Sequence, residues 1–250
     1  MPERTIRVVR DGFPHQMALD TAVSRVLLSE ASLPGAGETL RLSIPGRAVA
    51  FGKHDTLSPG FAKAVVAARN AGFEPFLRLA GGRAAAFHEG TVAIAWTIPA
   101  ERPIDGIRER FAAASDLVVD TLAALGVAAA VGAVPGEYCP GEYSVHTGPA
   151  KVAGVGQRLT KSAAMIGGVV VVEGGDLVRD ALVPVYDALG LEWIPSTAGA
   201  LSDTVPGIQP HEVVQAMIDQ LGNRGAVETA SLSGEVIKTA QVMRTEFDAR

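Results

Sequence analysis

The sequence predicts a protein of mixed helices and strands that folds as one domain, or as one domain with a small appendage. Stretches with apolar residues at helical spacing alternate with short runs typical of β-strands. The chain has 250 residues, 48% of them hydrophobic and 20% charged, which is the composition of an ordinary globular protein. At this length roughly three quarters of the unfolded surface is buried on folding, so a sizeable core is expected.

The first hundred residues predict two helices and several strands, with glycine and proline at most of the boundaries. The predicted elements are a strand at Thr5–Val9, a helix over residues 14–30, two short strands within residues 40–51, a small loop at residues 51–55, a helix over residues 59–71, a strand over residues 73–79 and a strand at Thr91–Pro99. The last of these is mostly apolar, which predicts a central position in the sheet.

The rest of the chain predicts a long helix, an irregular loop, a hairpin and a helical end. A helix over residues 107–125 carries one apolar stripe, which is expected to pack on the sheet. Residues 134–148 are rich in proline and glycine, and loops of this length in compact domains are usually functional when ordered. Residues 151–158 and 163–172 predict a β-hairpin, and residues 178–190, 210–222 and 225–247 predict a helical C-terminal portion.

Charge and cysteine content exclude several classes of function. The net charge is −5 and no block of Lys or Arg stands out, so neither nucleic acid nor an anionic membrane is an expected partner. The single cysteine, Cys139, excludes an internal disulfide and fits a reducing compartment. The charged N-terminus and the lack of a long apolar run predict a cytoplasmic protein. No metal is expected, because the histidines and the lone cysteine lack the spacing of a metal site.

The turn around Gly81-Gly82, residues 78–84, is the first candidate for a binding site, and we call it the glycine turn. Two glycines allow a close approach of the backbone to a ligand, while Arg78, Arg83 and His88 supply hydrogen-bond donors around the bend. A purely structural turn between strands is the alternative interpretation.

Lys151 begins a predicted strand whose neighbours Gly154 and Gly156 are small. Small residues leave room for a pocket, along which the lysine can point its ammonium at a carbonyl or phosphate oxygen. The alternative is a lysine that caps the end of a strand.

Cys139 lies in the irregular loop shortly before Lys151. A loop cysteine near a lysine can have a lowered pKa and accept an acyl group as a nucleophile. A small inert side chain is the alternative interpretation. Glu137 and Glu142 are nearby, and their negative charge is expected to disfavour a thiolate.

Four motifs in a fixed order resemble those of the lipoate–protein ligase and octanoyltransferase family. They are His15-Gln16-Met17-Ala18-Leu19-Asp20, then Phe51-Gly52-Lys53, then the stretch from Arg78 to His88, then Lys151-Val152-Ala153-Gly154-Val155-Gly156-Gln157-Arg158. That family shares its fold with the biotin ligase catalytic domain. The resemblance implies an α+β fold with a mixed β-sheet flanked by helices, a catalytic domain over residues 1–190 and a helical extension over residues 191–250 packed on the same domain.

The same resemblance implies the site. Lys151 matches the lysine that contacts the acyl carbonyl or the acyl-adenylate, and Cys139 lies where one transferase branch carries its nucleophile. The residues implied to bind substrate are Arg78, Gly81, Gly82, Arg83, His88, Gly52, Lys53 and Gly154. An acyl chain would occupy a tunnel between the glycine turn and the lysine strand. Arg83 stands where the ligases carry a third glycine, and this favours the transferase branch.

The implied function is transfer of an octanoyl or lipoyl group to a lysine of a lipoyl domain or of the glycine cleavage H protein. The donor would be a small-molecule or acyl carrier protein form of the octanoyl or lipoyl group, and transfer requires no cofactor. Two alternatives stay open. One is an ATP-dependent lipoate–protein ligase that uses ATP and Mg and passes through lipoyl-AMP. The other is a non-catalytic protein that binds an acyl group or an adenylate.

Overall fold

In the computed structural model, which describes residues 5–250, the chain forms an eight-stranded and a three-stranded β-sheet with helices around them. The strands are β1 Thr5–Val9, β2 Glu38–Ser43, β3 Ala48–Phe51, β4 Glu74–Leu77, β5 Ala85–Phe87, β6 Thr91–Pro99, β7 Ala130–Val131, β8 Val145–Thr147, β9 Ala150–Leu159, β10 Ala163–Val171 and β11 Ala226–Ala230. The helices are α1 Met17–Glu30, α2 Lys53–Thr56, α3 Phe61–Asn70, α4 Ile107–Ala124, α5 Gly175–Leu189, α6 Pro210–Gly222 and α7 Gly234–Met243.

Both sheets are mixed. The large sheet has the strand order β11-β1-β2-β6-β10-β9-β8-β7. Strand β1 is parallel to both of its neighbours, β11 and β2, and every other neighbouring pair in this order is antiparallel. The small sheet has the order β4-β3-β5, with one parallel and one antiparallel pair. The expected α+β fold with a mixed sheet flanked by helices is therefore confirmed, and β6 is central as predicted.

The two faces of the large sheet carry side chains of different size. Ile94 and Trp96 of β6 belong to the largest core cluster, together with Leu117 of α4 and Met217 of α6. On the opposite face the neighbouring strands carry small residues in register, namely Ala93, Ala95, Gly167, Gly154 and Gly156. We call this second side the small-residue face. Because these residues fill little volume, this face leaves space that the other face does not.

The small sheet and the helices α3 and α5 form a second core cluster. The glycine turn connects β4 to β5 in this sheet. Residues 134–144, which we call the cysteine loop, contribute Tyr138 and Cys139 to the same cluster. The fold thereby brings the glycine turn and the cysteine loop to one place.

Three sequence predictions are wrong. The predicted irregular loop over residues 134–148 contains a strand, β8, which pairs antiparallel with β9. Residues 51–55 are not simply a loop, because α2 begins at Lys53. The predicted helical extension over residues 191–250 is not wholly helical, since β11 lies within the tail and pairs in parallel with β1. The residues around β11 do not predict a strand, because its partner β1 is more than two hundred residues away in the sequence. The domain boundary at residue 190 stays a prediction, and residues 1–4 of that predicted domain lie outside the described part.

In residues 5–250, no helix combines the length and apolar character that crossing a membrane requires.

Candidate active site

A cavity of about 570 Å³ lies over the small-residue face of the large sheet. Arg41 of β2 and Gly154 of β9 both line it, with β6 and β10 between them. Three strand spacings separate these ends, so the cavity extends over roughly 14 Å across the sheet. Most of its wall is apolar or glycine, which suits an extended hydrocarbon chain.

One end of the cavity is formed by the glycine turn. Gly82 has a φ of 104°, a conformation that favours glycine, and a Cβ there would lie 2.7 Å from the Sγ of Cys139. The N–H of Gly81 donates to the carbonyl of Gln157 at 3.1 Å, which ties the turn to β9. Gly52 packs so closely behind the turn that a Cβ would collide with the carbonyl oxygen of Gly82. The two glycine motifs therefore act together to shape one wall.

The sulfur of Cys139 contacts the glycine turn. The main-chain N–H of Arg83 donates to Sγ at 3.2 Å, and Nη2 of Arg78 lies 3.4 Å from Sγ. Burial raises the pKa of the Cys139 thiol, but the charges of Arg78 and Lys151 and the hydrogen bonds from Arg78 and Arg83 outweigh it, so the pKa lies below its ordinary value. The sulfur is thus biased toward the thiolate, the nucleophilic form.

The backbone of Cys139 is held in an unusual conformation. Its φ is 43°, and within residues 5–250 no other residue except glycine has a positive φ. Such a conformation costs free energy and persists only where the surroundings enforce it. Here the Cys139 N–H donates to the hydroxyl of Tyr186 at 2.8 Å, and its carbonyl accepts from Lys151 Nζ at 2.8 Å. Both polar groups of the cysteine backbone are satisfied by buried side chains.

Glu137 organises the rest of the cysteine loop. Its carboxylate accepts from the N–H groups of Val134 and Gly141 at 3.2 Å and from the hydroxyl of Ser144 at 2.7 Å. It also pairs with the ammonium of Lys151 at 2.9 Å. The expected effect of Glu137 against a thiolate is offset in this structure, because its carboxylate pairs with this lysine and accepts hydrogen bonds from the loop.

Lys151 is almost fully buried and has an acceptor for each of its three ammonium protons. Nζ donates to the carbonyls of Tyr138 and Cys139 at 3.1 and 2.8 Å and pairs with Glu137. The lysine also lines the cavity, as the pocket interpretation requires. In this structure it anchors the cysteine loop, and its contact with an acyl carbonyl stays a prediction.

The structure brings together only some of the predicted site residues. Those that line the cavity are Arg78, Gly81, Gly82, Cys139, Lys151 and Gly154. Glu142 lines it as well, from an exposed position. Arg83 contributes its main-chain N–H to Cys139, while its side chain turns away to pair with the buried Asp55 at 3.4 Å.

Besides Arg83, three predicted residues lie outside the cavity wall. Gly52 supports the glycine turn from behind, and Lys53 is exposed on α2. His88 is buried, and its Nδ1 accepts the N–H of Gly90 at 3.0 Å. Burial lowers the pKa of His88. The expectation that His88 contacts the ligand is not supported by this placement, since Ala85 and Phe87 of β5 line the cavity and His88 does not.

Sequence reasoning missed the far end of the cavity and the tyrosine behind the cysteine. At the far end Arg41, 2% exposed, forms an ion pair with Asp20 and donates to Ser24 Oγ at 2.9 Å. Small residues alternating with large ones along β6 were the available signal for the cavity floor. Tyr186 had no local signal, because its role depends on where α5 packs.

Comparison with known proteins identifies the family. The profile described as the lipoyl protein ligase A/B catalytic domain matches residues 16–222. The chain belongs to this family. The resemblance drawn from the four motifs is thereby confirmed, and the match extends past residue 190.

Curated bacterial proteins are similar to this chain in sequence. One is the octanoyl-[GcvH]:protein N-octanoyltransferase of Geobacillus kaustophilus, 28% identical over 177 residues, which are 70% of this chain and 62% of the relative. The chain thus spans less than two thirds of that relative's length. The Exiguobacterium sibiricum protein of the same name is 26% identical over 82% of this chain and 79% of its own.

Solved structures agree on the fold. A lipoate-protein ligase A bound with ATP superposes with a TM-score of 0.77 at 17% identity, covering 96% of this chain and 94% of the ligase. At this identity the likeness establishes the fold of the lipoyl protein ligase A/B family and does not extend to the reaction.

Proposed function

We propose that this protein is an acyltransferase of lipoate metabolism, which moves an octanoyl or lipoyl group onto a lysine of a carrier protein through a thioester on Cys139. The observation that carries this proposal is the sulfur of Cys139 at the end of an apolar cavity, 3.2 Å from the N–H of Arg83 and 3.4 Å from the guanidinium of Arg78. A nucleophile of lowered pKa beside a chain-shaped cavity fits acyl transfer.

The named relatives support a protein-bound substrate. In octanoyl-[GcvH]:protein N-octanoyltransferase, an octanoyl-bearing GcvH protein is one substrate and a second protein is the other. We therefore propose the glycine cleavage H protein and a lipoyl domain as the partners, with an octanoyl acyl carrier protein as the alternative donor. A cytoplasmic location remains part of the proposal.

In the first step the Cys139 thiolate attacks the carbonyl carbon of the donor's acyl group. A C–S bond forms while the bond from that carbon to the donor's sulfur or nitrogen breaks. A sulfur leaving group departs as a thiolate, whereas a nitrogen leaving group takes a proton from solvent water and departs as an amine. The N–H of Arg83 and the guanidinium of Arg78 are the donors closest to the reacting sulfur, where they can stabilise developing negative charge.

In the second step the neutral amino group of the acceptor lysine attacks the thioester. A C–N bond forms, the C–S bond breaks, the amine loses a proton, and Cys139 returns to the thiolate. Neither step consumes ATP, so the transferase needs no cofactor. The acyl chain lies in the cavity throughout, where each buried methylene contributes about 0.8 kcal/mol to binding.

A reconstituted transfer assay tests this proposal. Wild-type protein, Cys139→Ala and Cys139→Ser are each incubated with an apo lipoyl domain and with octanoyl-H protein or octanoyl carrier protein in separate arms. Mass spectrometry is expected to show octanoylated acceptor with the wild type in at least one arm and with neither variant. A parallel arm supplies lipoate, ATP and Mg. Pyrophosphate release there, with no transfer in the other arms, would favour the ligase alternative, and binding of octanoate without turnover in any arm would favour the binding-only alternative.

A further inference from the structure

A second residue, Tyr186 of α5, stands directly behind Cys139 and lies outside the four motifs that mark the family. Its hydroxyl accepts the N–H of Cys139 at 2.8 Å and donates to the carbonyl of Ala84 at 2.9 Å. One oxygen atom thus joins the cysteine loop to the last residue of the glycine turn. The side chain is 2% exposed, and its ring packs against that of Trp193 with centroids 5.5 Å apart.

These two hydrogen bonds close a ring around the reacting sulfur. Ala84 is the residue after Arg83, and the N–H of Arg83 donates to Sγ of Cys139. The cysteine loop and the glycine turn are therefore linked twice, through the sulfur and through the Tyr186 hydroxyl. If the link through the hydroxyl is lost, only the contact between Sγ and the Arg83 N–H still holds the cysteine loop against the glycine turn, and that distance can vary more.

The strained backbone of Cys139 supplies a second, independent reason for such a link. A φ of 43° at a residue with a side chain needs surrounding contacts to hold it, and the Cys139 N–H is one of the two main-chain groups available. Burial raises the pKa of Tyr186 well above its ordinary value, so the phenol stays protonated and can donate to Ala84 while it accepts from Cys139.

We propose that Tyr186 is a positioning residue for the proposed transfer reaction, which holds the Cys139 loop against the glycine turn so that the sulfur stays in reach of the Arg83 N–H. It touches no substrate. The inference rests on the proposed function, since it explains how the proposed nucleophile is presented.

The test compares Tyr186→Phe with the wild type and with Thr121→Val. Tyr186→Phe removes one oxygen and keeps the ring. Thr121 is a suitable control because its buried hydroxyl donates to the carbonyl of Leu117 at 2.7 Å within α4, away from the cavity. Each variant loses one buried hydroxyl, so a general loss of stability affects both.

Tyr186→Phe is expected to lower kcat by about tenfold or more while KM for the octanoyl donor stays close to wild type, because a misplaced nucleophile reacts slowly without losing its substrate. The pH profile of Cys139 alkylation by iodoacetamide should move to higher pH, since the thiolate loses its aligned donor. Thr121→Val should keep the wild-type profile and kcat. A Tyr186→Phe protein with the wild-type alkylation profile and kcat would overturn the proposal.

Alkylation needs no acyl donor, so it separates this proposal from the proposed function. Should the wild type fail to take an octanoyl group, the transfer reaction is wrong, whereas an unchanged alkylation profile in Tyr186→Phe refutes the positioning role alone. If Tyr186→Phe does not fold, amide hydrogen exchange of the wild type decides. Slow exchange at the Cys139 N–H is expected, and exchange as fast as in an open loop would contradict the link.

Discussion

The main-chain N–H of Arg83 lies 3.2 Å from the sulfur of Cys139, although the two residues are 56 positions apart in the chain. The glycine turn and the cysteine loop therefore meet at one atom. Arg83 donates to this sulfur through its main-chain N–H, while its side chain pairs with Asp55 on the other side of the turn. This contact is the centre of the proposed site.

Replacement of Arg78 by Gln is expected to raise the pKa of the Cys139 thiol. Burial alone would raise this pKa, and the positive charge of Arg78 is the strongest influence that lowers it. Alkylation of Cys139 by iodoacetamide, followed against pH, should shift to higher pH in Arg78→Gln. Arg78→Lys keeps the charge and should shift less. An Arg78→Gln profile that overlays the wild type would show that the thiol is not activated by this guanidinium.

Replacement of Lys151 by Met should destabilise the fold, because it leaves the carboxylate of Glu137 buried without its cationic partner. Breaking a buried ion pair from one side typically costs about 3–5 kcal/mol. The double variant Lys151→Met with Glu137→Gln removes the orphaned charge and should recover part of this loss. The free energy of unfolding in urea is measured for the wild type, Lys151→Met, Glu137→Gln and the double variant. Strictly additive changes in the free energy of unfolding would argue against the coupling of Lys151 to Glu137.

The size of the cavity should depend on Ala95, which lies on the small-residue face next to Gly167 of β10. Ala95→Leu places a larger side chain on the cavity floor, so each methylene that it excludes should cost about 0.8 kcal/mol of binding. We expect a raised KM for octanoyl donors and a smaller change for butanoyl donors. Ala123→Leu introduces the same change on the exposed side of α4 and serves as the control. Equal effects on both chain lengths would contradict the proposed path of the acyl chain.

His88 should make the fold less stable in acid. Burial lowers its pKa in the folded protein below the ordinary value of 6.5, so the unfolded chain binds a proton first as the pH falls. Above that value both states are neutral and His88 adds no pH dependence. Below it the free energy of unfolding should fall, and between about pH 7.5 and pH 5.5 the drop should be smaller in His88→Asn. The asparagine oxygen can still accept the Gly90 N–H. An identical drop in His88→Asn would assign the acid sensitivity to other groups.

Much of the fold could be predicted from local patterns. The hairpin of β9 and β10, the long helix α4 and the central strand β6 all follow from spacing and from glycine or proline at their ends. Cys139 and Lys151 could also be paired, because only twelve positions separate them. β11 could not be found in this way, since its partner β1 lies at the other end of the chain.

The site was harder to predict than the fold, because side-chain direction depends on packing. His88 looked like a ligand contact from its place in the motif, yet it is buried and does not line the cavity. Glu137 looked like an obstacle to a thiolate, yet its carboxylate pairs with Lys151. Tyr186 could not be predicted, since nothing near it in sequence shows that α5 brings its hydroxyl to Cys139.

Mapping the intermediate tests whether Cys139 carries the acyl group. Wild-type protein is incubated with an octanoyl donor and no acceptor, quenched in acid, and analysed by intact mass and peptide mapping. We predict one added octanoyl group on the peptide that contains Cys139, removed by neutral hydroxylamine as a thioester should be, and absent from Cys139→Ala. An octanoyl group on another residue, or acceptor octanoylation by Cys139→Ala at the wild-type rate, would contradict the account.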